Sequence, residues 1–248
     1  MARPALFALV LLLVAPGTPA GAADAGTVSE REFQKTIQKR VHYRYLLFLP
    51  ASYATGKEKR FPLILFLHGA GERRGGLEVL RDLGPMAYAV KTKDFPFIVA
   101  APKCPEGRDW DPDALGALLD DLQARLRVDP KRVYLTGFSM GGAGTWELAM
   151  EQSSRFAAVA PVCGRAIPLL AGNLWRTPVH AFHGEDDDVV PLSNSRDMIE
   201  LLRGMGNRDA NLTVFPGEKH EIWGRVYSDP GLYQWFLQHS LPDKPAGR

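Results

Sequence analysis

The strongest constraint on this chain is a series of short, unbroken apolar runs at residues 62–67, 97–101, 133–136, 157–162, 179–182 and 212–215. A strand with one wet face alternates polar and apolar residues, whereas a run without alternation is covered on both faces. Between residues 113 and 128, Leu115, Leu118, Leu119, Leu122 and Leu126 fall on one stripe of a helix, with Asp113 at its start. Stretches 145–152, 193–203 and 230–239 also read as helical, and 33–37 and 43–49 as opening strands. Asp129 and Pro130 read as a turn. Buried strands alternating with helices, without a break in composition over residues 24–248, predict one α/β domain on a mostly parallel sheet. Sites in such sheets lie beyond the carboxyl ends of the strands.

Lys and Arg number 30 against 28 Asp and Glu. With no run of five like charges, nothing supports binding to nucleic acid or to an anionic membrane. Residues 1–23 read as a leader. Arg3 precedes an apolar run over 6–14, Pro16 and Gly17 break it, and Ala20, Gly21, Ala22 and Ala23 follow. A run of nine residues is short of the roughly 20 that span a bilayer. The expectation is a cleaved signal peptide, a mature chain starting near Asp24, a secreted or periplasmic location and no stable membrane insertion. Cys104 and Cys163 each follow a strand run; a disulfide between them is left open. Neither has His or Cys at zinc-ligand spacing, so no metal and no cofactor are expected.

Chemistry concentrates at three strand ends. After residues 133–136 comes Gly137-Phe138-Ser139-Met140-Gly141, followed by Gly142 and a helix. Glycines two residues either side of a serine suit a sharp strand-to-helix turn that presents the hydroxyl. A serine hydroxyl is a poor nucleophile until a base takes its proton, so a histidine and an orienting acid are needed later in the chain. Residues 183–191, HGEDDDVVP, supply acids, and 216–220, PGEKH, supply His220. Serine, acid and histidine follow one another in that order, each on its own loop. Of the remaining histidines, His42 and His239 read as surface or packing, His180 and His183 as structural, and His68 as shaping its loop.

The stretches DPKRVYLTGFSMGG, LILFLHGAGE, HGEDDDVVP and PGEKHEIW resemble the motif loops of α/β-hydrolase serine esterases, in the carboxylesterase and dienelactone-hydrolase-like group. The resemblance runs from about Tyr43 to the C-terminal helix. It implies an α/β-hydrolase fold, with Ser139 as nucleophile, His220 as base and Asp187 as acid in the pattern HG-x-x-D-x-x-V-P; Asp186 and Asp188 stay open as substitutes. Acyl transfer builds charge on a carbonyl oxygen, which needs fixed N–H donors. The residue after the nucleophile, Met140, is one, and the resemblance points to Ala70 as the other. Arg73, Trp110 and Trp223 are candidates for the substrate pocket.

Only 16 residues separate Cys163 and Pro178 inclusive, too few for an independent cap domain. The expected substrate is a small-molecule or carbohydrate-linked ester; oligomeric state is open. A small peptidase of the prolyl-oligopeptidase type is the enzymatic alternative. A catalytically silent envelope-binding protein on the same scaffold is the other.

Overall fold

A computed structural model describes Gly26 and residues 28–55 and 58–243. The chain divides into two units, Met1–Arg40 and Val41–Arg248. The expected leader over residues 1–23 lies outside the described residues. Residues 28–40 form neither helix nor strand, and Phe33 and Ile37 are 87% and 84% exposed. The strand expected at 33–37 is therefore not formed: a short apolar run is stable as a strand only when a neighbour takes its backbone groups and covers its side chains.

The second unit carries seven strands: β1 (Tyr45–Phe48), β2 (Phe61–Leu67), β3 (Ile98–Pro102), β4 (Val128–Phe138), β5 (Ala158–Val162), β6 (Val179–Gly184) and β7 (Ala210–Phe215). They form one sheet in the order β1-β3-β2-β4-β5-β6-β7. β1 pairs antiparallel with β3, and every other pairing is parallel. All seven residues of β2 are buried, which is why its sequence has no polar alternation. Leu63, Leu65 and Leu67 enter one core layer, whereas Ile64 and Phe66 enter the other. The first layer is closed by α2 (Pro112–Arg125), α3 (Met140–Glu151) and α4 (Ser193–Gly204), and the second by α1 (Gly84–Lys91), α5 (Trp223–Ser228) and α6 (Pro230–Leu237).

α2 shows what fixes a helix here. Leu115, Leu118, Leu119 and Leu122 are buried, each contributing roughly 1.5–3 kcal/mol, several times the spread of helix propensities among ordinary residues. Its N-cap is Asp111, not Asp113: the Asp111 side chain accepts from Ala114 N at 3.2 Å, and Pro112 occupies the first turn. Leu126 leaves the stripe in extended backbone and starts the approach to β4. Asp129 and Pro130, read as a turn, lie inside β4, which absorbs them at a register shift opposite Phe61 and Leu63.

Between β5 and β6 lies only a short 3-10 helix, Pro168–Leu174, and no cap domain. Cys104 and Cys163 are both free. They lie in different core layers, so the sheet stands between them and the pairing left open by the sequence is not made. Among the described residues, no helix is long and apolar enough to cross a membrane.

Candidate active site

Ser139 stands between β4 and α3 with φ +56 and ψ −116, a region sparsely populated for non-glycine residues that costs of order 1–3 kcal/mol. The neighbouring glycines make that turn possible. A Cβ on Gly137 would come within 2.4 Å of the Gly141 carbonyl oxygen, and one on Gly141 within 1.9 Å of the Leu67 oxygen. Strand and helix thus approach too closely for any side chain, and the hydroxyl between them projects outward. Ser139 N donates to Val162 O at 2.9 Å, fixing the elbow to β5.

His220 reaches the elbow from the loop after β7. Its Nε2 lies 2.8 Å from Ser139 Oγ and its Nδ1 lies 2.7 Å from Asp187 Oδ2. A carboxylate accepts only, so Nδ1 carries the proton and Nε2 is left to accept from the serine. Asp187 is the single buried member of the acid run Glu185–Asp188. Its Oδ1 accepts from Val189 N at 2.9 Å and Val190 N at 2.8 Å. Burial pushes its pKa up, but the bonds from His220, Val190 and Val189 outweigh burial and hold it below the usual carboxylate value. Asp188 is exposed and pairs with Lys219 at 3.0 Å; Asp186 is also exposed.

His183, read from sequence only as structural, belongs to this assembly. Its Nε2 lies 2.8 Å from Val190 O and 3.2 Å from Asp187 Oδ2, while its Nδ1 lies 2.7 Å from Ser195 Oγ. Burial lowers its pKa, so the ring is neutral. With Nε2 as donor, Nδ1 accepts from the Ser195 hydroxyl. The signal for it was its place, opening the same strand-end loop that carries the acid.

The facing loop, residues 68–76, is tied just as closely at its root. His68 Nδ1 donates to Gly69 O at 2.7 Å and its Nε2 accepts from Cys104 N at 3.0 Å. Burial drives its pKa down to about 4. Trp110 Nε1 donates to His68 O at 3.2 Å. Lys103 Nζ donates to the carbonyls of Glu72, Arg74 and Gly76; nothing in its sequence position marked it.

Ala70, Arg73, Trp110, Ser139 and Met140 share the lining of a cavity of about 280 Å³. Trp110 is 4% exposed, so it contributes little surface to the cavity. Trp223 does not line this cavity; it starts α5 and borders separate hollows with Tyr227. Cys163, His183 and Asp187 bring potential ligand atoms within 4.8 Å of one another. The lone pairs and N–H groups of the last two are already engaged with each other, with His220 and with backbone, and burial pushes the Cys163 thiol up, away from the thiolate a metal would need.

Known proteins show the same arrangement of chain. The profile of the family described as phospholipase/carboxylesterase matches residues 112–229, a span containing Ser139, Asp187 and His220. The provisionally named esterase NocK of Nocardia uniformis subsp. tsuyamanensis is 35% identical over 177 residues, 66% of this chain and 51% of the relative. This chain thus spans about half the length of NocK. Feruloyl esterase D of Neurospora crassa is 26% identical over 240 residues, 87% of this chain and 79% of the relative. Among solved structures, a thermostable esterase matches with a TM-score of 0.70 at 30% identity, over 79% of this chain and 59% of that one. The fold these proteins share is the one that this chain's own strand order builds: the chain has the α/β-hydrolase fold and is similar in sequence to esterases that carry it.

Proposed function

We propose that this chain hydrolyses carboxylic esters through an acyl-enzyme on Ser139. The observation that carries the reading is the unbroken relay from Ser139 Oγ through His220 to Asp187, at 2.8 Å and 2.7 Å. Ser139 Oγ attacks the ester carbonyl carbon as its proton passes to His220 Nε2, and the Asp187 carboxylate faces the imidazolium that forms. Charge on the carbonyl oxygen is met by the N–H groups of Met140 and Ala70, whose residues line the cavity beside the serine. Collapse breaks the bond to the alkoxy oxygen, which leaves as the alcohol with the proton from His220. Water then attacks the acyl carbon and gives a proton to His220. The carboxylic acid departs, and Ser139 recovers its proton.

The likeness to feruloyl esterase D and the short β5–β6 interval support ester groups on small molecules or projecting from carbohydrate as substrates. The pattern of residues 1–23 supports work outside the cytoplasm, in a secreted or periplasmic setting. An ester panel with acetyl, butyryl, feruloyl and long-chain acyl groups tests the reading, alongside Ser139→Ala and a fluorophosphonate probe. Expected are hydrolysis of short esters and labelling of the wild type, both lost in the variant. Activity that survives Ser139→Ala would sink the mechanism, and a strong preference for long-chain emulsions would sink the substrate class.

A further inference from the structure

The cavity beside Ser139 has a wall that the reaction does not use. Glu147 lies two helical turns beyond the nucleophile on α3 and is half-buried; Arg165 follows the end of β5 and is exposed; both line the cavity. Among the described residues, neither side chain makes a hydrogen bond or an ion pair within 4.0 Å. Asp109 and Arg73 share the lining: Arg73 donates from Nη1 to Arg108 O at 2.8 Å and from Nε to Ala70 O at 3.2 Å, with Nη1 3.6 Å from Asp109 Oδ1, which leaves its Nη2 for a ligand. A half-buried carboxylate without a donor is costly, and here burial pushes the Glu147 carboxyl up while Arg165 opposes the shift.

The chemistry of that wall selects among substrates. Its two cations and two anions cancel, so a ligand of either net charge gains no net attraction. Hydroxyl groups do gain, since each donates to a carboxylate and accepts from a guanidinium. A flat aromatic group finds little of the Trp110 ring to stack on, because that ring is 4% exposed and packs beside His68 and Tyr43. A volume of about 280 Å³ lies just below the usual range for drug-sized ligands, enough for one ring-sized group. We propose that Glu147 and Arg165, with Asp109 and Arg73, form a subsite for a neutral, polyhydroxylated part of the substrate. This rests on Ser139 being an ester-cleaving nucleophile and adds what such an ester must carry. The hydroxyls could belong to the alcohol or to the acyl side.

Three esters separate these cases: a monoacetylated methyl xyloside with hydroxyls on the alcohol, methyl gluconate with hydroxyls on the acyl group, and butyl acetate with neither. Wild type is expected to favour one of the first two over butyl acetate by about tenfold in kcat/KM, through KM, as a few net hydrogen bonds provide. Glu147→Leu and Arg165→Met should each cut that preference by about three- to tenfold, one hydrogen bond's worth. The exposed Arg165 keeps the test valid if the helix variant folds poorly. No preference in wild type, or an unchanged preference in both variants, overturns the subsite while leaving the esterase reading intact. A wild type that cleaves no ester sinks that reading instead; calorimetric titration with methyl xyloside and gluconate then decides the subsite alone. Binding that weakens in both variants supports it, and binding that is absent or unaltered overturns it.

Discussion

The two flanks of Ser139 are built on opposite physical terms. On the acid side, Asp187 is 8% exposed and accepts from three donors, Val189 N, Val190 N and His220 Nδ1, while the His183 ring lies 3.2 Å from Oδ2 and bonds Val190 O. On the cavity side, Arg73 is held by the Ala70 and Arg108 carbonyls, but its partner Asp109 stands 3.6 Å away with a side chain 84% exposed. Buried polar groups must be satisfied in one geometry, so they hold it; exposed ones have water as an alternative partner and can release. The molecule thus fixes the part that must not vary between substrates and leaves adaptable the part that meets them.

The largest expected effects break the rigid side. Ser139→Ala should lower kcat by at least about 10⁴-fold, and Asp187→Asn by about the same order, because the amide reverses the donor pattern at His220 Nδ1. Circular dichroism should show both variants folded. A loss under tenfold for Asp187→Asn would mean that the buried carboxylate does not orient the base. His183→Ala should act through Asp187 by freeing the Val190 carbonyl, whose own N–H holds Asp187 Oδ1, and leaving Ser195 without an acceptor. We expect kcat to fall about 10- to 100-fold, the range of supporting hydrogen bonds around a site, with KM little changed and partial recovery in His183→Gln. A rise in KM at constant kcat would reassign His183 to packing.

Much of the rigid side was legible in the sequence, and for a physical reason: it is local. The elbow needs Gly137 and Gly141 within four residues of each other, the choice of Asp187 came from the resemblance of its loop, and the unbroken runs report buried strands in the middle of the sheet, as in β2, but not at its edge, where residues 212–215 of β7 are only half-buried. The cavity side was not. Glu147 and Arg165 come from different elements and share a cavity with Arg73 only because α3 and the end of β5 flank the same opening; no spacing along the chain encodes that. Trp223 does not face the cavity of Ser139: three residues beyond His220 the chain has turned into α5, and the ring borders the adjoining hollow with Gly69, Glu72 and Phe138. Residues 33–37 misled because apolar spacing describes a strand's side chains but not whether a neighbour takes its backbone. The cap of α2 was misplaced by two residues, although Pro112 at the first helical position pointed to Asp111.

His68 sharpens the comparison, because it carries burial into the root of the substrate-side loop. It is 1% exposed, its Nε2 accepts from Cys104 N, and its pKa is lowered from 6.5 to about 4. The unfolded chain takes up a proton at this ring at higher pH than the folded one does. The neutral ring therefore contributes stability in full above about pH 6.5, and that stability is lost as pH falls toward 4, on the order of 3 kcal/mol. A melting series from pH 7 to 4 should show the loss, and His68→Asn, destabilised at pH 7, should show a flatter dependence. Equal slopes in wild type and variant would move the acid sensitivity elsewhere, His180 being the next candidate since burial lowers it to about 4 as well.

The smallest expected effect lies at the cavity rim, and its smallness is the point. Asp109 is mostly exposed and its separation from Arg73 is beyond direct hydrogen-bond range, so solvent screens the pair. A double-mutant cycle with Asp109→Asn and Arg73→Gln should give a coupling in stability below about 0.5 kcal/mol. The same cycle on His183→Ala and Ser195→Ala, whose ring nitrogen and hydroxyl meet at 2.7 Å with both residues fully buried, should give about 1–3 kcal/mol. Chemical denaturation of the four single and two double variants measures both. Should the rim pair couple as strongly as the buried pair, exposure would not be what separates the two flanks, and the adaptability assigned to the cavity side would have no physical basis.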